Sequence, residues 1–236
     1  ACGAALDSSQ LEAWNKALAG DPVSAFGGIF VFNTTLEAST ATECDKLFFE
    51  VILAPGFSDE ALAILKSKKN RIILETRIFS KPKSLTRSVL NGVLVQEPDG
   101  LVDNRNGFNV VTNKQAEDSQ LADMEFASVL AKHTKSNAIV LVKKAQLLAS
   151  GTGQTSRIDA MHQAVDKAKR MGFSPEGAVL ASDAFFPFAD SIELCAQAGI
   201  SAIIQPGGSV RDAEVISAAN SLNLAMVFTG TRHFKH

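Results

Sequence analysis

The chain has 236 residues, of which 46% are hydrophobic and 20% charged, and its net charge is -2. That is enough apolar material for one large domain or two small ones, and without a basic stripe it argues against duplex nucleic acid as a partner. No apolar run approaches the roughly 20 residues of a spanning helix, and Cys2, Cys44 and Cys195 form no CxxC pair, which points to reduced thiols in a cytoplasmic protein rather than a disulfide framework or a zinc site.

In chain order, residues 7–19 predict a helix, with Leu11, Trp14 and Leu18 at helical spacing. Asp21-Pro22-Val23-Ser24-Ala25-Phe26-Gly27-Gly28 is a loop bounded by proline and glycines. Residues 29–32 predict a buried strand. Thr35 offers the N-cap of a helix running to about Phe48. A strand over 51–54 ends at Pro55-Gly56. Ser58, Asp59 and Glu60 open a helix that closes in Lys66, Lys68 and Lys69, an arrangement that suits the helix dipole. Residues 71–74 predict a strand. Residues 76–88 are a basic connector without a period, 92–96 a strand, and Glu97-Pro98-Asp99-Gly100 a turn. Residues 103–115 look irregular or extended.

An amphipathic helix follows over 117–131. Two strands, 138–142 and 146–149, then form a hairpin across a lysine-rich turn. After Gly151-Thr152-Gly153-Gln154 the expected elements are helix 156–171, strand 178–182, helix 190–198, strand 201–205, helix 211–221 and strand 224–228. The order helix, strand, helix, strand, helix, strand occurs in both halves, so we expect an α/β fold of two related units, residues 1–115 and 116–236. Only the second unit has a leading hairpin. Ala1-Cys2-Gly3-Ala4 aligns with Ser150-Gly151-Thr152-Gly153, so we expect the natural protein to extend upstream of Ala1, with the front strands of the first unit missing here; a complete chain of two unequal units is the alternative.

Right-handed crossovers place the strand ends of one unit on a common edge. In the second unit that edge carries Ser182-Asp183-Ala184-Phe185-Phe186-Pro187-Phe188-Ala189-Asp190, the glycine loop Gln205-Pro206-Gly207-Gly208-Ser209, and the tail Thr229-Gly230-Thr231-Arg232-His233-Phe234-Lys235-His236. An aromatic slot beside cations and glycine N–H donors would suit a flat anionic ligand; the phenylalanines would equally suit a core cluster. Lys132-His133-Thr134-Lys135-Ser136-Asn137 reads either as a helix terminus or as a site. In a site, Asn137 would orient an amide, and the oxygens of Thr134 and Ser136, near Asp183, would hold a monovalent cation. The 151–157 stretch is neither a P-loop nor a dinucleotide fingerprint. Arg157 opposes the dipole at its helix start and suggests a carboxylate or phosphate partner. The H-x-E and P-C-x-x-C motifs of a zinc deaminase are absent.

Taken together, Asp21 to Gly28, Glu50-Val51-Ile52-Leu53-Ala54-Pro55, Lys132 to Asn137, Ser182 to Phe188 and Arg232-His233-Phe234-Lys235-His236 resemble the AICAR transformylase domain of the bifunctional purine-biosynthesis enzymes, which is usually fused to an IMP cyclohydrolase. The resemblance covers nearly the whole chain. It implies a cytidine-deaminase-like fold in two α/β/α subdomains without zinc, and formyl transfer from 10-formyltetrahydrofolate to the 5-amino group of AICAR. It also implies a homodimer with sites at the interface, and a potassium ion. By motif, Asn137 matches the catalytic asparagine and His236 joins it. Gly27, Glu50, Arg232 and Phe234 fall at the nucleotide end, although Glu50 replaces an aspartate of some members. Arg157, Ile158, Phe185, Phe186, Pro187 and Asp190 fall on the folate side, and Thr134, Ser136 and Asp183 at the cation site. The family's Lys-His pair, which precedes the stretch resembling Ala1-Cys2-Gly3, is not in this chain, nor is a cyclohydrolase domain. A folate- or nucleotide-binding module without catalysis is therefore the alternative expectation.

Overall fold

A computed structural model describes residues 1–77 and 82–235. Helix α1 (Gln10–Gly20) begins where the Ser9 side chain accepts the Glu12 N–H. It is followed by β1 (Gly28–Val31), α2 (Ala38–Asp45), β2 (Phe49–Ala54), α3 (Asp59–Lys66) and β3 (Ile72–Glu75). The three strands form a parallel sheet in the order β1-β2-β3. Trp14 packs edge-on against Phe30 at 4.7 Å, at the centre of a core with Leu36, Phe49, Ile52 and Leu65. Helix α2 starts later than Thr35 would have it, with Glu37 as its N-cap. The cause is Gln10, whose carboxamide donates to the Thr35 carbonyl at 2.9 Å and accepts the Glu37 N–H at 3.0 Å, holding the intervening turn against α1.

Residues 78–81 of the basic connector lie outside the described residues. Beyond them the connector is not featureless, because β4 (Leu85–Val89) pairs antiparallel with β5 (Gly92–Gln96). All residues of both strands are exposed, so no burial alternation marks β4 in the sequence. A 3-10 turn, Arg105–Gly107, and the short β6 (Asn109–Val110) follow.

In the second half, a Glu117–Gln120 capping box starts α4 (Asp118–Lys132). Then come the hairpin β7 (Ile139–Lys143) and β8 (Gln146–Gly151), followed by α5 (Arg157–Arg170), β9 (Val179–Ser182), α6 (Asp190–Gln197), β10 (Ala202–Gln205), α7 (Asp212–Ser221) and β11 (Ala225–Phe228). The six-stranded sheet runs β6-β11-β10-β9-β7-β8, with β9, β10 and β11 parallel. One face packs on α4 through Met124, Ala127 and Ala131. The other packs on α5, α6 and α7 through Met161, Ile192 and Val215. The strands are apolar on both faces for that reason.

The first sheet is covered on one face only. On the other, Ile29, Val31, Ile72 and Leu74 are 66%, 68%, 52% and 44% exposed. Several contacts tie the two halves together. Strand β6, from the first half, pairs with β11. Ala5 bridges to Gln146, whose side chain donates to the Lys16 carbonyl at 2.8 Å. Asp21, only 4% exposed, pairs with Lys167 of α5 at 2.8 Å. Burial alone would raise the Asp21 carboxyl, but the Lys167 ammonium and the Ser24 N–H outweigh it and bring it down to about 2. A depressed carboxyl stabilises the fold above its unfolded value and loses that contribution as pH falls through the folded one. Chemical denaturation at pH 6, 4 and 2 should show Asp21→Asn destabilising by about 2 kcal/mol at pH 6, with the difference from the parent reduced to a small fraction of that by pH 2. A difference that stays constant with pH would mean that the link does not depend on the Asp21 charge.

Candidate functional site

The loop after β9 divides its aromatic residues. Phe186 is fully buried in the core with Ile192 and Cys195, and its N–H donates to Gln205 Oε1 at 2.9 Å. That placement corrects the expectation that Phe186 faces a ligand, since its ring has no surface left. Buried Phe186 anchors the loop, and Phe185 is left half-buried beneath the Arg232 guanidinium, 4.6 Å from the ring centroid. Phe188 is exposed and stacks under Arg211 at 4.9 Å. Pro187 is half-buried. Asp190 opens α6, with its carboxylate accepting the Ser191 N–H at 2.6 Å. The glycine loop is less available than its composition suggests, because Asp212 already accepts the N–H groups of Gly208 and Ser209. Gly207 has φ +69, and a Cβ there would meet Phe228 Cδ2 at 2.4 Å, so only glycine lets the loop close over β11.

Asn137 follows a cis Ser136–Asn137 peptide bond at the entry to β7. Its Nδ2 donates to the Gln154 carbonyl at 2.9 Å and the Thr155 carbonyl at 3.1 Å. Both neighbours can only accept, which fixes the amide orientation and leaves the side-chain oxygen as an acceptor. Two residues on from Thr155, Arg157 begins α5, followed by the half-buried Ile158. The Arg157 guanidinium reaches Asp183 Oδ1 at 3.2 Å and lies 5.9 Å from the Phe234 ring centroid. The carboxylate answers the dipole conflict at this helix start. Burial still holds Arg157 below the ordinary arginine value, against the pull of Asp183.

The tail is held by its backbone. Asp183 accepts the His233 N–H at 3.0 Å, and Ser136 donates its N–H to the Lys235 carbonyl at 2.8 Å and accepts the Lys235 N–H on Oγ at 3.0 Å. His233 is buried, with Nδ1 2.6 Å from Asp99 Oδ2 and Nε2 3.2 Å from Asp103 Oδ2. The Asp103 and Asp99 carboxylates raise the imidazole above its ordinary value despite its burial. Lys132 pairs with Asp99 at 3.3 Å and also donates to the Leu101 carbonyl. Sequence reasoning missed this cluster, because its carboxylates sit in a turn with no period.

Asp183 Oδ2 is buried and has no hydrogen-bond partner among the described residues. Thr134, two residues before Ser136, is buried, and its hydroxyl proton goes to the Leu130 carbonyl at 2.7 Å. An orphaned carboxylate oxygen is the kind of hard oxygen donor that a monovalent cation takes. Among the described residues, no three His, Cys, Asp or Glu side chains are grouped to hold a metal ion.

Asn137, Arg157, Asp183, Phe185, Arg232 and Phe234 thus form one connected neighbourhood at the strand ends of the second sheet. Gly27 and Glu50 lie elsewhere, at the amino ends of β1 and β2, where the Gly27 N–H donates to the Phe48 carbonyl at 2.8 Å. His236 lies outside the described residues. A hollow of about 850 Å³ lies away from this neighbourhood, between residues 1–8 and the edge of β1. It is mostly apolar in its lining, and Asp7 and Glu37 are the only carboxylates there. The Arg157–Asp183 pair gives the site its stability test. Asp183→Ala strands a mostly buried guanidinium and should cost about 3 kcal/mol in urea unfolding. A loss below about 1 kcal/mol would mean that the pair behaves as an exposed one.

The model of the AICARFT/IMPCHase bienzyme family matches residues 1–167. A bifunctional purine biosynthesis protein PurH from Bacteroides thetaiotaomicron is 52% identical over 236 residues, which is 100% of this chain and 46% of that protein. A protein of the same description from Desulfitobacterium hafniense is 50% identical over 238 residues, covering 45% of its length, and one from Aquifex aeolicus is 47% identical, covering 46%. The chain therefore spans about half the length of these relatives. Among solved structures, a dCMP deaminase from the cyanophage S-TIM5 matches at 18% identity and a TM-score of 0.35, over 48% of this chain and 98% of that one. A deaminase/reductase from Thermotoga maritima matches at the same identity and TM-score, over 46% and 35%. Likenesses this loose carry no argument. The family match covers most of the chain, and by it the chain belongs to the AICARFT/IMPCHase bienzyme family.

Proposed function

We propose that this chain carries much of a formyltransferase site that works in purine biosynthesis in the cytoplasm, moving the formyl group of 10-formyltetrahydrofolate to the 5-amino group of AICAR. The observation that carries this reading is the meeting of Asn137, Arg157, Phe185, Arg232 and Phe234 at one edge of the second sheet. Family membership supplies the reaction class.

The chemistry asks for orientation first. An aromatic amine is a weak nucleophile, so its lone pair must be aimed at the formyl carbon. With both Nδ2 protons committed, the Asn137 side-chain oxygen can accept one amine N–H and turn the lone pair toward that carbon. Attack forms the new C–N bond, the bond from carbon to the folate nitrogen breaks, and that nitrogen takes up a proton as the amine loses one. Arg232 is exposed and supplies positive charge for an anionic group of the nucleotide. Phe185 offers a face for the flat pterin, with Pro187 and Ile158 flanking it, and Asp190 can accept from the pterin's N–H groups. The Lys-His pair expected to move the protons is not among these 236 residues. At the cation site, Asp183, Ser136 and Thr134 would hold a potassium ion, which would supply a fixed charge against the buried carboxylate. Gly27 and Glu50 belong to the nucleotide end in this reading. Their place in the other sheet fits a homodimer in which each site takes residues from both subunits.

The test is formyl transfer by this chain alone, by the chain joined to its relatives' upstream segment, and by Asn137→Ala in that longer protein. The longer protein should turn over, Asn137→Ala should lose about 10²–10³ in kcat, and the short chain should be nearly inactive. AICAR and folate binding without turnover in the longer protein would replace this reading with that of a binding module.

A further inference from the structure

His233 is 5% exposed, while Arg232 and Phe234 on either side of it are exposed. Along an extended stretch, neighbouring side chains point to opposite sides. Arg232 engages Phe185, and Phe234 lies near Arg157, so the side away from His233 is the one that meets the proposed site. On its own side, His233 has a carboxylate on each ring nitrogen, Asp99 and Asp103. Asp99 also pairs with Lys132, and Asp103 Oδ2 also accepts the Ser128 hydroxyl, so both carboxylates are tied to α4. The backbone bonds to Asp183 and Ser136 set where the stretch runs. They hold the backbone at two points, and the ring held at both nitrogens adds a third hold on the buried side.

We infer that His233 is a positioning residue, clamped between Asp99 and Asp103 so that Arg232 and Phe234 are presented to the substrate. The inference rests on the reading of Arg232 and Phe234 as nucleotide contacts. Acting through its neighbours, His233 touches no substrate.

The experiment uses the longer protein, upstream segment included, with His233→Ala, His233→Gln and the double variant Asp99→Asn/Asp103→Asn. AICAR affinity is measured by calorimetry, kcat at saturating AICAR, and release of the tail by the rate at which the backbone N–H groups of residue 233 and Lys235 exchange with deuterium. His233→Ala and the double variant should each weaken AICAR binding about tenfold, and combining them should add little, since they break one unit. The kcat should fall by less than the affinity does, because Arg232 and Phe234, the groups that lose their hold first, are read as binding contacts. His233→Gln, which keeps one bond, should recover part of the affinity, and it stands in if His233→Ala does not fold. Tail release should quicken at least tenfold in His233→Ala. Unchanged AICAR affinity in a folded His233→Ala or His233→Gln overturns the inference, and so does an unchanged rate of tail release. A parent protein that binds no AICAR overturns the substrate reading instead, and tail release then decides the clamp alone.

Discussion

Asp183 is where three separate stretches of chain meet. Its N–H goes to the Ala138 carbonyl ahead of β7, its carbonyl takes the His233 N–H of the tail, and its carboxylate takes the Arg157 guanidinium at the start of α5. The residue is 1% exposed, so none of these bonds competes with water. A buried carboxylate with only one partnered oxygen is costly unless the second is also satisfied. The strand end, the helix start and the tail are thus tied to one residue. The neighbourhood proposed to bind substrate inherits its rigidity from that junction, since Asn137, Phe185, Arg232 and Phe234 all lie within two residues of one of its bonds.

The elements of the second half were legible because each signal agreed with its tertiary setting. Helix α5 starts at Ser156 as N-cap, closes in Lys167, Lys169 and Arg170, and turns Ala160, Ala164 and Ala168 inward. Buried parallel strands read as unbroken apolar runs. Where the reading slipped, a contact distant in sequence had decided the outcome. Gln10 sets the start of α2 from 27 residues away. Strand β4 shows no alternation because both its faces are in solvent. Strand β6 exists only because β11 offers an edge.

The site was legible as a set of stretches and not as contacts. The motifs singled out Asn137, Arg157 and Arg232, but a guanidinium at a helix start suits a ligand as well as it suits Asp183, and nothing along the chain favoured one outcome. Phe186 illustrates the same limit. A phenylalanine in a loop is apolar whether it faces a ligand or the core, and only its packing on Ile192 and Cys195 separates the two. The His233 clamp left no local trace, since Asp99 and Asp103 lie more than a hundred residues from it.

The two sheets share an order of elements but not an environment, and the difference bears on how the halves divide the work. Strand β9 has β7 on its edge and α4 beneath it, whereas β1, at the corresponding place, ends its sheet. The face carrying Ile29, Val31, Ile72 and Leu74 stays in solvent. On β1 and β3 these four exposed aliphatic residues flank the half-buried Val51 and Leu53 of β2, an apolar surface of the kind that packing normally removes. A ligand site needs side chains held to within a fraction of an ångström, and only the second sheet, covered on both faces, offers that stiffness within this chain. The connected neighbourhood lies on that sheet. Residues of the first sheet such as Gly27 and Glu50 can join a site only through what packs against them.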